Sequence, residues 1–151
     1  MKSILPTRIR ACAVTAAALT LAFCVSGVSA ADNPGLQQKY SLPGTSWQVE
    51  TIASATINDD INVTLSFDEN GWVSGDSGCN QYKGKYVVKG YELAIEQFTS
   101  TKKICASAVM DSENDFQKIL SGAIDFSINW ENDKLTVTAW DGRDFSGKKL
   151  P

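Results

Sequence analysis

The chain contains no histidine, which removes the commonest general base and the commonest metal ligand together. A catalytic cysteine needs a neighbouring base or cation to become a thiolate, so thiol chemistry lacks its usual partner. No Gly-rich phosphate loop is present either. Positive charge is scarce: after residue 30 there are 11 basic and 17 acidic side chains, a net of 11 − 17 = −6. Phosphate contacts call for a clustered cationic face, and the pair Lys102-Lys103 is too short to make one, so nucleic acid is not an expected partner. Beyond residue 30 no apolar run approaches the length of a membrane-spanning helix, about 20 residues.

The first thirty residues have a different character. Lys2, Arg8 and Arg10 precede the apolar run "ACAVTAAALTLAFCV", and "SGVSA" places the small residues Val28 and Ala30 where a signal peptidase reads. This predicts a signal peptide over 1–30, with cleavage after Ala30 and export to the periplasm or the exterior. The apolar core, about 15 residues, is too short for a stable span. Lipidation at Cys24 would want a small residue before the cysteine, and Phe23 is large.

Cleavage changes the cysteine count. Cys12 and Cys24 leave with the signal, and Cys79 and Cys105 remain. Two cysteines in an oxidising compartment read as one disulfide. Two free buried thiols are the first alternative. A zinc site is the second, although it would have to recruit carboxylates in place of imidazoles.

Residues 31–44 are polar and turn-forming and read as a flexible leader, with the domain proper over 45–151. "TSWQVETI" reads as a strand. In "INVTLSF" Ile61, Val63, Leu65 and Phe67 alternate with polar residues before an Asp68 to Gly71 turn, and "WVSGDSG" returns. "KGKYVVKGYELAIEQF" reads as a hairpin about Lys89-Gly90. The rhythm then changes. In "SAVMDSENDFQKILSG" Val109, Met110, Phe116, Ile119 and Leu120 fall on one helical face, and Gly122 stands at the C-cap position. Strands resume with Ile124, Phe126 and Ile128 alternating, then Leu135, Val137 and Ala139, and a last hairpin at Asp141-Gly142. The predicted fold class is α+β: a strongly curved antiparallel sheet or partial barrel with one packed helix.

Within this frame "SGCNQY" is the most unusual stretch. Gly75 and Gly78 flank Asp76 and Ser77, which suits positive φ and a tight turn before Cys79, and Asn80 is placed to hydrogen-bond nearby backbone. Gly75, Ser77, Gly78, Asn80 and Tyr82 therefore form a structural turn or, alternatively, a partner-binding loop. The acid pairs Asp59-Asp60 and Glu113-Asp115 do not share a face on a strand or a helix, so no acid/base pair emerges and an enzyme is not expected. Asp68 to Gly71 matches a fragment of a calcium loop without its later Glu and reads as a hairpin turn. The "NVT" sequon at Asn62 falls inside a strand pattern. Trp47, Trp72, Trp130 and Trp140 could form an aromatic binding surface, although core packing is the ordinary fate of at least two.

"GTSWQVETI", "SGCNQYKGKY", "TSTKKIC" and the helix ending in "ILSG", in that order and spacing, resemble the META domain family of the HslJ type across roughly residues 43 to 146. The family often has prolines directly after the second cysteine, whereas Ala106-Ser107-Ala108 follow here. The resemblance implies no cofactor and an envelope protein linked to stress or antibiotic tolerance; together with export, the small β-rich scaffold and the lack of a catalytic constellation, it leads to the expectation of a monomeric, non-catalytic protein that binds another macromolecule. Two other readings stay open: a secreted enzyme inhibitor that uses the 75–82 turn as a wedge, and a carrier of a small apolar ligand in a half-open barrel.

Overall fold

Alternation of inward and outward side chains shapes most of the chain that the computed structural model describes, residues 41–151. Residues 1–40, on which the expected signal peptide with Cys12, Phe23 and Cys24 and most of the expected leader fall, lie outside the described residues. The elements are β1 (Thr45–Ile52), β2 (Ala55–Thr56), β3 (Thr64–Phe67), β4 (Trp72–Asp76), β5 (Gln81–Lys89), β6 (Glu92–Ser100), α1 (Ser107–Ser121), β7 (Ala123–Asn129), β8 (Lys134–Ala139) and β9 (Asp144–Lys149). All pairings are antiparallel, in the order β2-β1-β3-β4-β5-β6-β7-β8-β9, and β9 returns to pair with β1. Eight strands thus close a barrel, with the two-residue β2 appended outside it. The expected curved sheet goes to full closure.

Closure depends on three places where one strand carries an extra residue. At the β1–β9 ladder the extra residue is Glu50, between pairs Val49↔Gly147 and Thr51↔Ser146. At β5–β6 the pairs Lys83↔Thr99 and Lys85↔Glu96 leave one residue more on β6 than on β5, and Gln97 there has φ 50°. At β7–β8 the extra residue is Ile124. Each bulge bends its strand and shifts the phase of everything beyond it. Ile124 was expected to alternate inward with Phe126, but the bulge leaves it half exposed while Phe126 is buried.

The barrel interior is filled by side chains. Trp47, Leu65, Phe67, Val73, Leu93 and Phe145 come from the strands and Phe116, Ile119 and Leu120 from α1, all essentially inaccessible. Phe116 meets Tyr82 edge-on at 5.5 Å and lies 5.1 Å from Phe145, so the helix is keyed into the aromatic core. Leu42 is fully buried, Thr45 Oγ1 donates to its carbonyl at 2.5 Å, and Gly44 N–H donates to Phe67 O at 2.7 Å. The folded domain therefore includes residues 42–44, which the sequence reading had assigned to the leader. Ile61 and Val63 are buried as expected, but the strand proper begins at Thr64, with Val63 forming an isolated bridge to Ser77.

Two glycines act through space rather than through φ. Gly122 does close α1, its N–H donating to Lys118 O, but its φ is −99°; a Cβ there would lie 2.9 Å from Trp140 Cδ1. Gly75 was expected to use positive φ. Instead, a Cβ there would fall 2.0 Å from the Thr64 carbonyl oxygen of the neighbouring strand.

Burial pushes the Tyr82 phenol well above its ordinary value of 10.0, with Asp76 adding to the effect, and its hydroxyl donates to Thr64 O at 2.8 Å. Below pH 10 both folded and unfolded chains keep this proton. Above pH 10 the unfolded chain releases it while the folded chain does not, so folding loses stability as pH rises through that window. In urea melts between pH 9 and 11 the wild type is expected to lose stability faster than Tyr82→Phe; parallel loss would refute the assignment.

Candidate functional site

The 75–82 turn is folded inward. Ser77 is fully buried, and Asn80 and Tyr82 are nearly so. Gly78 adopts φ 106°, the left-handed geometry expected of it, and its N–H donates to Asp76 Oδ1 at 2.9 Å. Gly78 and Cys79 then carry the chain to Asn80, whose carbonyl accepts the Ser77 N–H at 2.7 Å.

Asn80 is the hub. Its N–H donates to Glu113 Oε1 at 2.9 Å, and its Nδ2 donates to Glu113 Oε2 at 2.8 Å and to Lys103 O at 3.3 Å. Its Oδ1 accepts from Lys103 N–H and from Thr101 Oγ1, both at 2.7 Å. The side-chain amide thus pairs with the backbone of Lys103 as a strand neighbour would, and both its donors and both its lone pairs are used. Asp would lack the donors, and Gln would be a methylene too long.

Glu113 supplies the other half of the cluster. It projects from α1 into the interior, almost inaccessible, where it also receives the Ser77 hydroxyl. That hydroxyl lies 2.7 Å from the Asn80 carbonyl as well, and Gln117 Nε2 donates to it at 3.1 Å and to Ser100 Oγ at 3.2 Å. In the sequence Glu113 stands out only as half of an acid pair with Asp115. The overlooked signal was the series 109, 113, 116, 120, which places a carboxylate on the apolar stripe of the helix. Ser77 is out of reach of solvent, and the cluster braces the turn, the strap and the helix against one another.

The brace holds an exposed strap, residues 101–106, which has no regular secondary structure. Lys103 is gripped by Asn80, and Cys105 is bonded to Cys79 with S–S 2.04 Å and Cα–Cα 6.0 Å. Between these anchors Ile104 stands 92% exposed. Lys102 and Lys103 are exposed, and neither forms an ion pair among the described residues, where the ion pairs belong to Arg143. α1 begins at Ser107, two residues past Cys105, with no side-chain cap at Ala106. Although no proline follows Cys105, the helix starts at Ser107 and not within the strap. Strap, β6 and α1 enclose a groove of about 590 Å³ lined by Phe98, Ser100, Ile104, Met110, Asn114 and Gln117 among others.

The tryptophans do not gather into one surface. Trp47 lies in the core with Trp130 against it at 6.1 Å. Trp72 lies on the outer face under Lys83 at 4.3 Å, and Trp140 is exposed beside Gly122. Among the described residues no group of three or more His, Cys, Asp or Glu is placed to hold a metal, and no helix is long and apolar enough to cross a membrane.

An eight-stranded closed barrel with one inserted helix and a disulfide-anchored strap defines a class of small β-rich domains. The META domain profile matches residues 40–149, and the chain belongs to the META domain family. Among solved structures, a protein from Burkholderia xenovorans determined by NMR is similar at 20% identity and TM-score 0.62, covering 97% of this chain and 99% of that one. A DUF4847 family protein from Bacteroides vulgatus is similar at 15% identity and TM-score 0.53, covering 71% of this chain and 93% of that one. These likenesses concern the fold. No curated protein matches the sequence. The cysteine pair is compatible with an oxidising compartment.

Proposed function

We propose that the protein is a non-catalytic envelope protein, exported to the periplasm, that supports stress or antibiotic tolerance by binding another macromolecule through its strap. The observation that carries this reading is Ile104, a large apolar side chain presented to solvent on a segment pinned on both sides. Pre-organised apolar anchors lower the ordering cost of association. META family membership, the exported-type N-terminus and the buried, fully engaged Ser77–Asn80–Glu113 cluster support the same reading.

An inhibitor remains the second reading, but its wedge would be the strap, since Ser77, Asn80 and Tyr82 of the 75–82 turn are buried. The packed barrel interior speaks against a carrier. In the bacterium of origin, a deletion strain is expected to lose tolerance to heat or antibiotic. The wild-type gene should restore it, and Ile104→Asp should not, although that protein accumulates and melts normally. A deletion strain as tolerant as its parent, or full rescue by Ile104→Asp, would sink the proposal.

A further inference from the structure

We infer that the groove between β6 and α1 takes an extended acidic segment of a partner protein, which adds to the open edge of β6 as a further strand. This inference rests on the strap being a partner surface, and it specifies what kind of partner.

The first observation is an unfinished ladder. β6 pairs with β5 from Lys89↔Glu92 to Tyr82↔Ser100, yet its ladder to β7 is the single pair Glu92↔Asp125. Among the described residues no strand pairs with its second edge from Ala94 to Ser100. Thr101 N–H donates to Gln81 O at 3.0 Å, toward β5. Backbone groups alternate in direction along a strand, so those of Ser100 point the other way, to the groove. Unpaired edge groups of this kind template an added strand.

The bulge at Gln97 supplies the second observation. Without the extra residue, Gln97 and Thr99 would continue the inward series of Leu93 and Ile95. With it, Phe98 and Ser100 turn inward and Gln97 and Thr99 outward. Phe98 stacks on Tyr82 at 5.6 Å and forms an apolar wall of the groove, which Met110 and Ile104 also line. Bulges often re-aim side chains beside binding sites.

Charge names the occupant. Lys102 and Lys103 stand at the groove without an ion pair among the described residues. The carboxylate in the groove, Glu113, has both oxygens engaged by Asn80. An incoming strand with apolar side chains toward Phe98 and Met110 and acidic ones toward the lysines would satisfy edge, wall and rim together. An equally basic segment would meet two uncompensated cations.

The test uses a phage library of eight-residue peptides with Asp or Glu at alternate positions, selected on the purified mature protein. Enriched peptides are expected to bind the wild type at least tenfold more tightly than the Lys102→Glu/Lys103→Glu variant, whose substitutions are exposed and whose melt should be unchanged. Methylating alternate backbone nitrogens of a bound peptide should abolish binding in one register and spare it in the other, which a purely side-chain contact would not do. Amide exchange should slow at Phe98 and Ser100. No enrichment, equal binding by the charge-reversed variant, or indifference to methylation would overturn the inference, as would self-pairing of two chains at this edge in place of peptide. These readouts use purified protein, so they can fail while the tolerance phenotype stands, and the converse.

Discussion

Replacing Cys79 and Cys105 with serine is expected to cost about 3.5 kcal/mol of unfolding free energy, from the chain-entropy model for a closed loop of about 25 residues. The bond has a sequence separation of 26 and spans all of β5 and β6. In the unfolded chain it removes conformations that β5 and β6 would otherwise explore before pairing. In the folded chain it fixes the end of the strap next to α1. A loss of this size is a large share of a small domain's stability, typically about 5–15 kcal/mol. Urea unfolding should show the midpoint fall by about 2 M, taking a slope of about 1.5–2 kcal/mol/M, and reduction of the wild type should reproduce the shift. An unchanged midpoint would mean that the bridge contributes only locally. The strap itself should lose one of its two anchors, since Asn80 still grips Lys103.

Glu113→Ala is expected to cost about 3 kcal/mol. The carboxylate receives the Asn80 N–H, the Asn80 side-chain amide and the Ser77 hydroxyl. Truncation leaves these donors in a nearly inaccessible place, and an orphaned buried donor costs about 1–3 kcal/mol. Water entering from the adjoining groove offsets part of that sum. Glu113→Gln keeps one acceptor oxygen but turns an NH₂ toward Asn80 donors, so it should lose about half as much. Thermal and urea melts decide the order. Alanine and glutamine variants both within about 0.5 kcal/mol of wild type, the range of an ordinary surface change, would show that the cluster does not brace the fold. The alanine variant should also loosen the strap, seen as faster amide exchange at Lys103, because Asn80 loses the partner that orients it.

The strands are legible locally. Leu135, Val137 and Ala139, or Leu65 and Phe67, announce a half-buried strand because side chains alternate every two residues whatever lies across the ladder. The 3.6-residue stripe of Phe116, Ile119 and Leu120 announced α1 in the same way. The places where the period slips are not legible locally. Nothing in "AIDF" says that Ile124 is an extra residue, since a bulge is defined by two strands and not by one. Gly75 looked like a turn glycine because its neighbours are turn-formers, while its real constraint is the Thr64 carbonyl of another strand.

By itself, then, the sequence pointed to the antiparallel strand-rich class, to a helix over residues 107–121, to a Cys79–Cys105 disulfide as the first of several readings, and to Ser77, Gly78 and Asn80 as the most unusual stretch. Each follows from residue order, turn chemistry or simple counting. Tertiary structure alone decided that β9 meets β1 to close the barrel, that Leu42 belongs to the core, that Glu113 faces Asn80 and that Ile104 stands out on a pinned strap. Those facts depend on contacts between residues far apart in the chain, such as Asn80 and Glu113 at a separation of 33. The free energy that selects them comes from burying shared surface and pairing buried polar groups, which no single segment can do alone.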